Sequence, residues 1–286
     1  MLGEIWSTIV SNPILNLMIL MYHFLGDNLG LAILGIATIV RLSLIPLVKR
    51  QTNMTKKMAS LKPELDKLQK KYGNNKKKLG EEQVKLYRKV GYNPLGCIGT
   101  FIPQIIILSA LIGVVRAVIG NELEGLYPWV QNLTSMSDGI SIQTRFLIWD
   151  LTKSYKDISS EFGRISSEAI PYIGLSILVG VTQFFASTFT QKIQGLSKPD
   201  KGKKKKNKKK EEDPTEQMQK SMQKSTKFFL PLMTAYISIT YPAALGWYWF
   251  VQSFLLVIQY FLLDFDKTKA GVQNMWDVLT KKKKKE

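Results

Sequence analysis

The sequence predicts an all-α, polytopic membrane protein: five transmembrane helices with a cytoplasmic helical hairpin. Three observations carry this. Apolar runs approach the roughly 20 residues that a spanning helix needs, at Leu29–Val48, Ile98–Ile119, Ile170–Thr188, Phe228–Thr240 and Leu245–Leu263. None of them alternates with a period of two, as a membrane β-strand would. Lysine and arginine gather in every second connecting segment. The averages hide this pattern: 45% hydrophobic residues, a mean hydropathy of −0.03 and a net charge of +18 would suit a soluble, basic protein.

The charge counts set the topology, because cytoplasmic loops are enriched in lysine and arginine. The first 28 residues hold no Lys or Arg and 2 Asp or Glu. Residues 49–95 hold 14 against 4, residues 120–169 hold 4 against 7, residues 191–227 hold 13 against 5, and residues 265–286 hold 7 against 3. Five spans fit this alternation, with the N-terminus outside and the C-terminus in the cytoplasm. The predicted order is then as follows. An extracytoplasmic N-terminus (1–28) carries an interfacial helix over Ser11–Asp27, and the first span (29–48) follows. Next come a cytoplasmic hairpin (49–95), a second span (96–119), an extracytoplasmic segment (120–169) and a third span (170–190). A basic cytoplasmic loop (191–227), the fourth and fifth spans (228–264) and a basic tail (265–286) complete the chain. Tyr127, Trp129 and Trp149 suit an aromatic interface belt on the outer side.

The hairpin rests on two amphipathic stretches. Met54, Met58, Leu61, Leu65, Leu68 and Tyr72 form a narrow helical seam. Pro63 should interrupt that helix, and "GNNKKKLG" should break it. A second helix would then place Val84, Leu86, Tyr87 and Val90 on its apolar side. Such a hairpin is either a solvated element closing on itself or a platform for a partner or the membrane surface.

Two lysine runs are too charged to build a core. One comprises Lys203, Lys204, Lys205, Lys206, Lys208, Lys209 and Lys210; the other comprises Lys281, Lys282, Lys283, Lys284 and Lys285. They suit phosphate-dense partners, either anionic lipid headgroups or ribosomal RNA, as well as topology determination. Without interleaved aromatics they do not suit sequence-specific nucleic-acid recognition. With one cysteine, Cys97, and one histidine, His23, an internal disulfide is impossible. Neither a Cys/His metal site nor histidine catalysis is expected.

The candidate site centres on "AILGIATIVRLSLIPLV", residues 32–48, where Arg41 interrupts a span. A guanidinium in hydrocarbon costs roughly a few to more than ten kcal/mol. Arg41 is eight residues from Lys49, about 12 Å along a helix, which is deeper than simple snorkelling reaches. No other apolar run carries an Asp or Glu in its middle. The runs do carry uncharged hydrogen-bonding groups, among them Gln104, Gln183, Gln252 and Ser253. Such groups are commonly helix–helix contacts; collected around one arginine they would line a wet cavity. Phe228–Thr240 is only about 20 Å of helix, which invites local bilayer thinning.

The stretches "GLAILGIATIVRLSLIPLVKRQTNMTKKMASLKPELDKLQKKYG", "LYRKVGYNPLG" and "YPAALGWYWFVQSFLLVIQ" together resemble the YidC family of membrane protein insertases, within the Oxa/Alb insertase superfamily. The resemblance covers about residues 11 to 265. It implies five core spans around a hydrophilic groove open to the cytoplasm and the lipid. The groove's basic residue maps onto Arg41 and its polar neighbours onto Gln104, Gln252 and Ser253. It also implies a non-enzymatic role in a bacterial cytoplasmic (inner) membrane, with no cofactor and no metal. The substrates would be nascent membrane proteins, delivered by the ribosome or shared with the Sec translocon. One departure is "NPLGCIGTFIPQIII", where the proline precedes Gln104. The rival reading of the same arginine is an anion transporter or channel. A lipid or ribosome tether without insertase activity would rest on the lysine runs alone.

Overall fold

The computed structural model describes residues 2–73, 75–89, 91, 101–120, 125–134, 142–193, 221, 224–263, 265, 268–269 and 272–273. Among the described residues the regular structure is helical except for one two-stranded hairpin. The chain divides into two compact units. One comprises Met1–Ser43, Phe101–Phe184 and Leu230–Leu256; the other comprises Leu44–Thr100, Phe185–Phe229 and Val257–Glu286.

The first unit opens with helix α1 (Leu2–Trp6), a π turn at Ser7–Ser11, and helix α2 (Asn12–Phe24). Gly26 and Asp27, with φ of 78° and 52°, end this run. Leu15, Asn16, Met18, Ile19 and Tyr22 recur at helical spacing and are buried. They lie on a helix packed along α3 (Leu29–Ser43), α7 (Phe101–Gly120) and α8 (Pro128–Thr134). Asn16 is well matched. Its amide nitrogen donates to the carbonyls of Asn12 and Gly125 at 2.7 and 2.8 Å, and its oxygen accepts from the N–H of Tyr127 at 2.7 Å. One turn and a half further on, the Tyr22 hydroxyl accepts from the N–H of Gln143 at 2.8 Å. The run Gly3–Phe24 is long and apolar enough to cross a membrane by length and composition, a property that the interfacial reading of Ser11–Asp27 did not anticipate.

Helix α3 does not continue unbroken to Val48, where the first span was expected to end. It stops at Ser43, and α4 (Ile45–Ser60) begins after Leu44. Pro46 gives the reason: it has no N–H for the Leu42 carbonyl, and its ring crowds that carbonyl. Three helices of the described residues satisfy the length and apolarity of a span: Gly3–Phe24, Ile170–Gln191 and Ala243–Leu263. The pair Leu29–Ser43 and Ile45–Met54 makes a fourth when taken as one broken span. The polytopic helical class holds. The five expected spans take Ile170–Gln191, Ala243–Leu263 and the broken pair from this set and add α7, whose apolar stretch Ile106–Ala117 is shorter, and the 11-residue α11 (Leu230–Thr240); Gly3–Phe24 lies outside that count.

The connection after α8 contains β1 (Arg145–Phe146) and β2 (Trp149–Asp150), antiparallel, with Phe146 opposite Trp149. Helix α9 (Tyr155–Phe162) follows, started by a capping box between Ser154 and Asp157. The sequence places Trp149 in an aromatic interface belt. It is instead buried, and its indole N–H donates to the Pro171 carbonyl at 2.9 Å. A buried indole needs a partner for its N–H, and the start of α10 (Ile170–Ile193) supplies one.

This hairpin ties helix ends together. The N–H of Asp150 donates to the Tyr172 hydroxyl of α10 at 3.0 Å. The N–H groups of Ala243 and Ala244, which open α12 (Ala243–Leu263), donate to Lys153 and Leu151 carbonyls, both at 2.9 Å. Phe146 lies over Gly30 of α3 and packs against Trp247 of α12, the rings tilted by 49° with centres 4.8 Å apart. The Trp247 indole donates to the Gly30 carbonyl at 2.9 Å. The N-terminal ends of α3, α10 and α12 are therefore level with one another.

Below that level, small residues let the helices close up, as membrane bundles require when water supplies no hydrophobic drive. A Cβ on Gly180 of α10 would sit 3.2 Å from the Ala235 Cβ of α11. Gly246 of α12 faces Ser238 of α11 and Leu175 of α10 with no room for a side chain.

In the second unit, α5 (Lys62–Tyr72) and α6 (Lys76–Lys89) pack as the expected hairpin. The break before α5 falls at Leu61, with Pro63 in the first helical turn, where its missing N–H costs little. The turn is shorter than "GNNKKKLG" suggested. Asn75 accepts from the N–H of Lys78 at 3.1 Å, and α6 starts at Lys76. The buried face runs through Leu79 and Gln83, and Val84 lies one residue, about 100°, around the helix from Gln83. Val84 is exposed, the reverse of its expected placement. Val90 lies outside the described residues, as does the side chain of Met58.

Two consequences are measurable by thermal unfolding in detergent. Gly30→Ala places a Cβ inside the Phe146 ring and should destabilise by about 1–3 kcal/mol, whereas Gly113→Ala, with nothing within 4 Å, should be neutral or slightly stabilising. Burial alone would raise the Asp150 pKa. Hydrogen bonds from the Thr152 hydroxyl and N–H, at 2.6 and 3.0 Å, outweigh it and hold the carboxyl below its ordinary 3.8. A depressed folded-state pKa contributes stability above the unfolded value and loses it as pH falls through the folded one. Asp150→Asn should therefore flatten the acid limb of the stability profile below pH 3.8.

Candidate functional site

Because the hairpin levels the three helix ends, depth can be counted from there. Arg41 is eleven residues beyond Gly30, Gln183 twelve beyond Pro171, and Gln252 eight beyond Ala244. At 1.5 Å per residue these are about 12–18 Å down, near the middle of a hydrocarbon core of about 30 Å. Residues chosen from three separate apolar runs thus share one layer.

Contacts join them. An Nη2 hydrogen of Arg41 is donated to the backbone carbonyl of Gln252 at 3.0 Å. The half-buried arginine therefore has a partner within the protein, where its sequence surroundings offered no acid. A carbonyl satisfies a donor but carries no net charge, so this bond leaves the guanidinium's charge in place. The Gln252 amide donates to the Tyr248 hydroxyl at 3.1 Å, one turn back on α12. The neighbouring Ser253 hydroxyl reaches Gln183 Oε1 at 2.8 Å and the Trp249 carbonyl at 2.9 Å. One hydroxyl proton serves two acceptors, so the Gln183 bond competes with the carbonyl of the preceding turn. Gln252 and Ser253 are both 5% exposed. Gln183 is half-buried.

Arg41, Gln183, Gln252 and Ser253 thus fall on one turn of α12 and the helices facing it. Gln104 is on α7, but its side chain lies outside the described residues, as do all twelve lysines of the two runs. Sequence reasoning missed Tyr248. Its signal was its position four residues before Gln252, on the same helical face. Among the described residues, no three His, Cys, Asp or Glu side chains are placed to hold a metal ion.

Residues 20–269 match the family described as the 60Kd inner membrane protein, the YidC/Oxa1 family. The chain belongs to that family. Its YidC relatives are named membrane protein insertases. The chain is similar to YidC 2 of Bacillus anthracis, 28% identical over 93% of this chain and 84% of that one. It is similar to MisCA of Bacillus subtilis strain 168, 28% identical over 90% of this chain and 78% of the other. It is also similar to YidC of Histophilus somni strain 2336, at 24% identity over 93% of this chain, but it spans only 39% of that protein's length.

The contact between Gln183 and Ser253 can be weighed by a double-mutant cycle. Gln183→Leu and Ser253→Ala should couple by about 0.5–1.5 kcal/mol in unfolding free energy, with the competing Trp249 carbonyl pulling the value toward the lower end.

Proposed function

We propose that this protein is a membrane protein insertase, and that the half-depth polar layer is where it receives substrate. The observation that carries the reading is Arg41, positioned at mid-span depth on the Gln252 carbonyl. Gln183, Gln252 and Ser253 surround that level, and Gln104 is proposed to join them from α7. These groups offer hydrogen bonds in place of water to a polar segment on its way across. The guanidinium attracts acidic residues in that segment, and the substrate's apolar stretch then leaves for lipid. Burial of about 20 apolar residues supplies the free energy, so no catalytic residue or cofactor is invoked. Relatives named as membrane protein insertases support this reading.

The proposed substrates are nascent membrane proteins, inserted alone or together with the Sec translocon. The lysine runs at 203–210 and 281–285 are proposed to meet the ribosome or anionic lipid on the cytoplasmic side of a bacterial inner membrane. In this orientation the N-terminus is outside, and α2 lies along the outer surface. Its bonds to residues 125, 127 and 143 support that placement, since these residues belong to the connection that carries the outer hairpin.

Reconstituted protein and a short radiolabelled substrate test the charge-based mechanism. Arg41→Ala should lower insertion of a substrate with an acidic translocated tail by about tenfold, which uses only ~1.4 of the ~4 kcal/mol available to a close charge pair at intermediate dielectric. Arg41→Lys should retain most activity. Equal insertion by Arg41→Ala and the unmodified protein would remove the arginine from the mechanism.

A further inference from the structure

The tip of the outer hairpin is apolar and uncovered. Leu147 and Ile148 are 72% and 65% exposed. They form the two-residue loop between β1 and β2, and Leu147 has a φ of 53°. Loops of this length usually give the positive φ to glycine or asparagine, and a leucine there is strained. The chain thus presents a large apolar side chain where a small residue would be easier to fold.

The tip's height is set by its neighbours. Phe146, on one side, is packed on Gly30 and Trp247; Trp149, on the other, is bonded to Pro171. Two strand residues span about 7 Å, so Leu147 and Ile148 cannot stand far from the first turns of α3, α10 and α12. Where those helices cross a bilayer, this is the level at which hydrocarbon meets headgroups. Exposed Ile170, at the start of α10, shares that level. Arg145, also exposed, flanks the tip with a charge that suits a lipid phosphate.

We propose that the Arg145–Asp150 hairpin is a lipid anchor. Leu147 and Ile148 insert into the interface of the leaflet at the N-terminal ends of α3, α10 and α12, and Arg145 meets phosphodiester headgroups. Anchoring there fixes the height of the helix ends and, through them, the depth of Arg41. The inference rests on the reading that α3, α10 and α12 span the bilayer.

The full chain with Cys97→Ser supports the test, carrying in turn Leu147→Cys, Ile148→Cys, Lys156→Cys or Ile177→Cys. Each is labelled with an environment-sensitive fluorophore and reconstituted in phosphatidylethanolamine/phosphatidylglycerol vesicles. Quenching is compared between shallow nitroxide lipids and iodide present on both sides of the membrane. Labels at Leu147 and Ile148 should be quenched several-fold more by nitroxide lipid than by iodide, with the reverse at Lys156. Iodide quenching at the tip equal to that at Lys156 would overturn the anchor. So would protection from both quenchers, which would mean that a second copy or another polypeptide covers the tip. Ile177, exposed on α10 about 10 Å below its start, separates the two readings: a label there that nitroxide lipid does not quench counts against spanning itself, and failure at the tip alone counts against only the anchor.

Discussion

Three parts of the chain meet at the backbone of Gly30. Its carbonyl takes the Trp247 indole proton, and its missing side chain leaves the space that Phe146 fills. Almost everything else about the first unit follows from that meeting. It holds the β-hairpin against α3 and α12, and the hairpin's own bonds then bring in the start of α10. Once the three ends are level, the helical rise fixes which residues share a depth. Arg41 meets the carbonyl of Gln252 and Gln183 meets Ser253 because the counting starts from a common origin.

Below the hairpin the bundle relies on close backbone approach. Gly180 against Ala235, and Gly246 against Ser238, are contacts that any larger side chain would force apart. In a medium as apolar as leucine, such fits contribute what the hydrophobic effect supplies elsewhere. Polar side chains add a second kind of contact. Asn16 on α2 is matched by three backbone groups, whereas in the layer around α12 the Ser253 hydroxyl divides one proton between two acceptors. The first arrangement suits a permanent joint. The second suits groups that exchange partners.

Much of this was legible in the sequence. The helices follow from apolar length, and the break at Leu61 follows from Pro63. Pro46 carries the same information about Leu44, although the apolar run continues through it to Val48. The residue types of the polar layer were visible, but not their pairing. Arg41's partner is a backbone carbonyl, and a carbonyl has no signature in a list of side chains. The hairpin was hidden for a different reason. "RFLIWD" has neither glycine nor asparagine at its turn, so local chemistry argues against one, and only the packing of Phe146 and Trp149 on distant helix ends holds it in place. Val84 shows how narrow a face is: it adjoins the buried Gln83, and the 100° turn of one residue is enough to expose it.

The contacts that complete the polar layer are among the most distant along the chain. Arg41 and Gln252 are 211 residues apart, and Gly30 and Trp247 are 217 apart. At about 5–20 residues per second, roughly ten to forty seconds separate the synthesis of such partners. During that interval α3 has been made and α12 has not, so the Gln252 carbonyl is absent from beside the arginine. The chain is then itself a polypeptide entering a bilayer with a charge midway along an apolar segment. Its own biogenesis poses the problem that its finished form is proposed to solve, and a copy already resident in the membrane would ease the entry of the next.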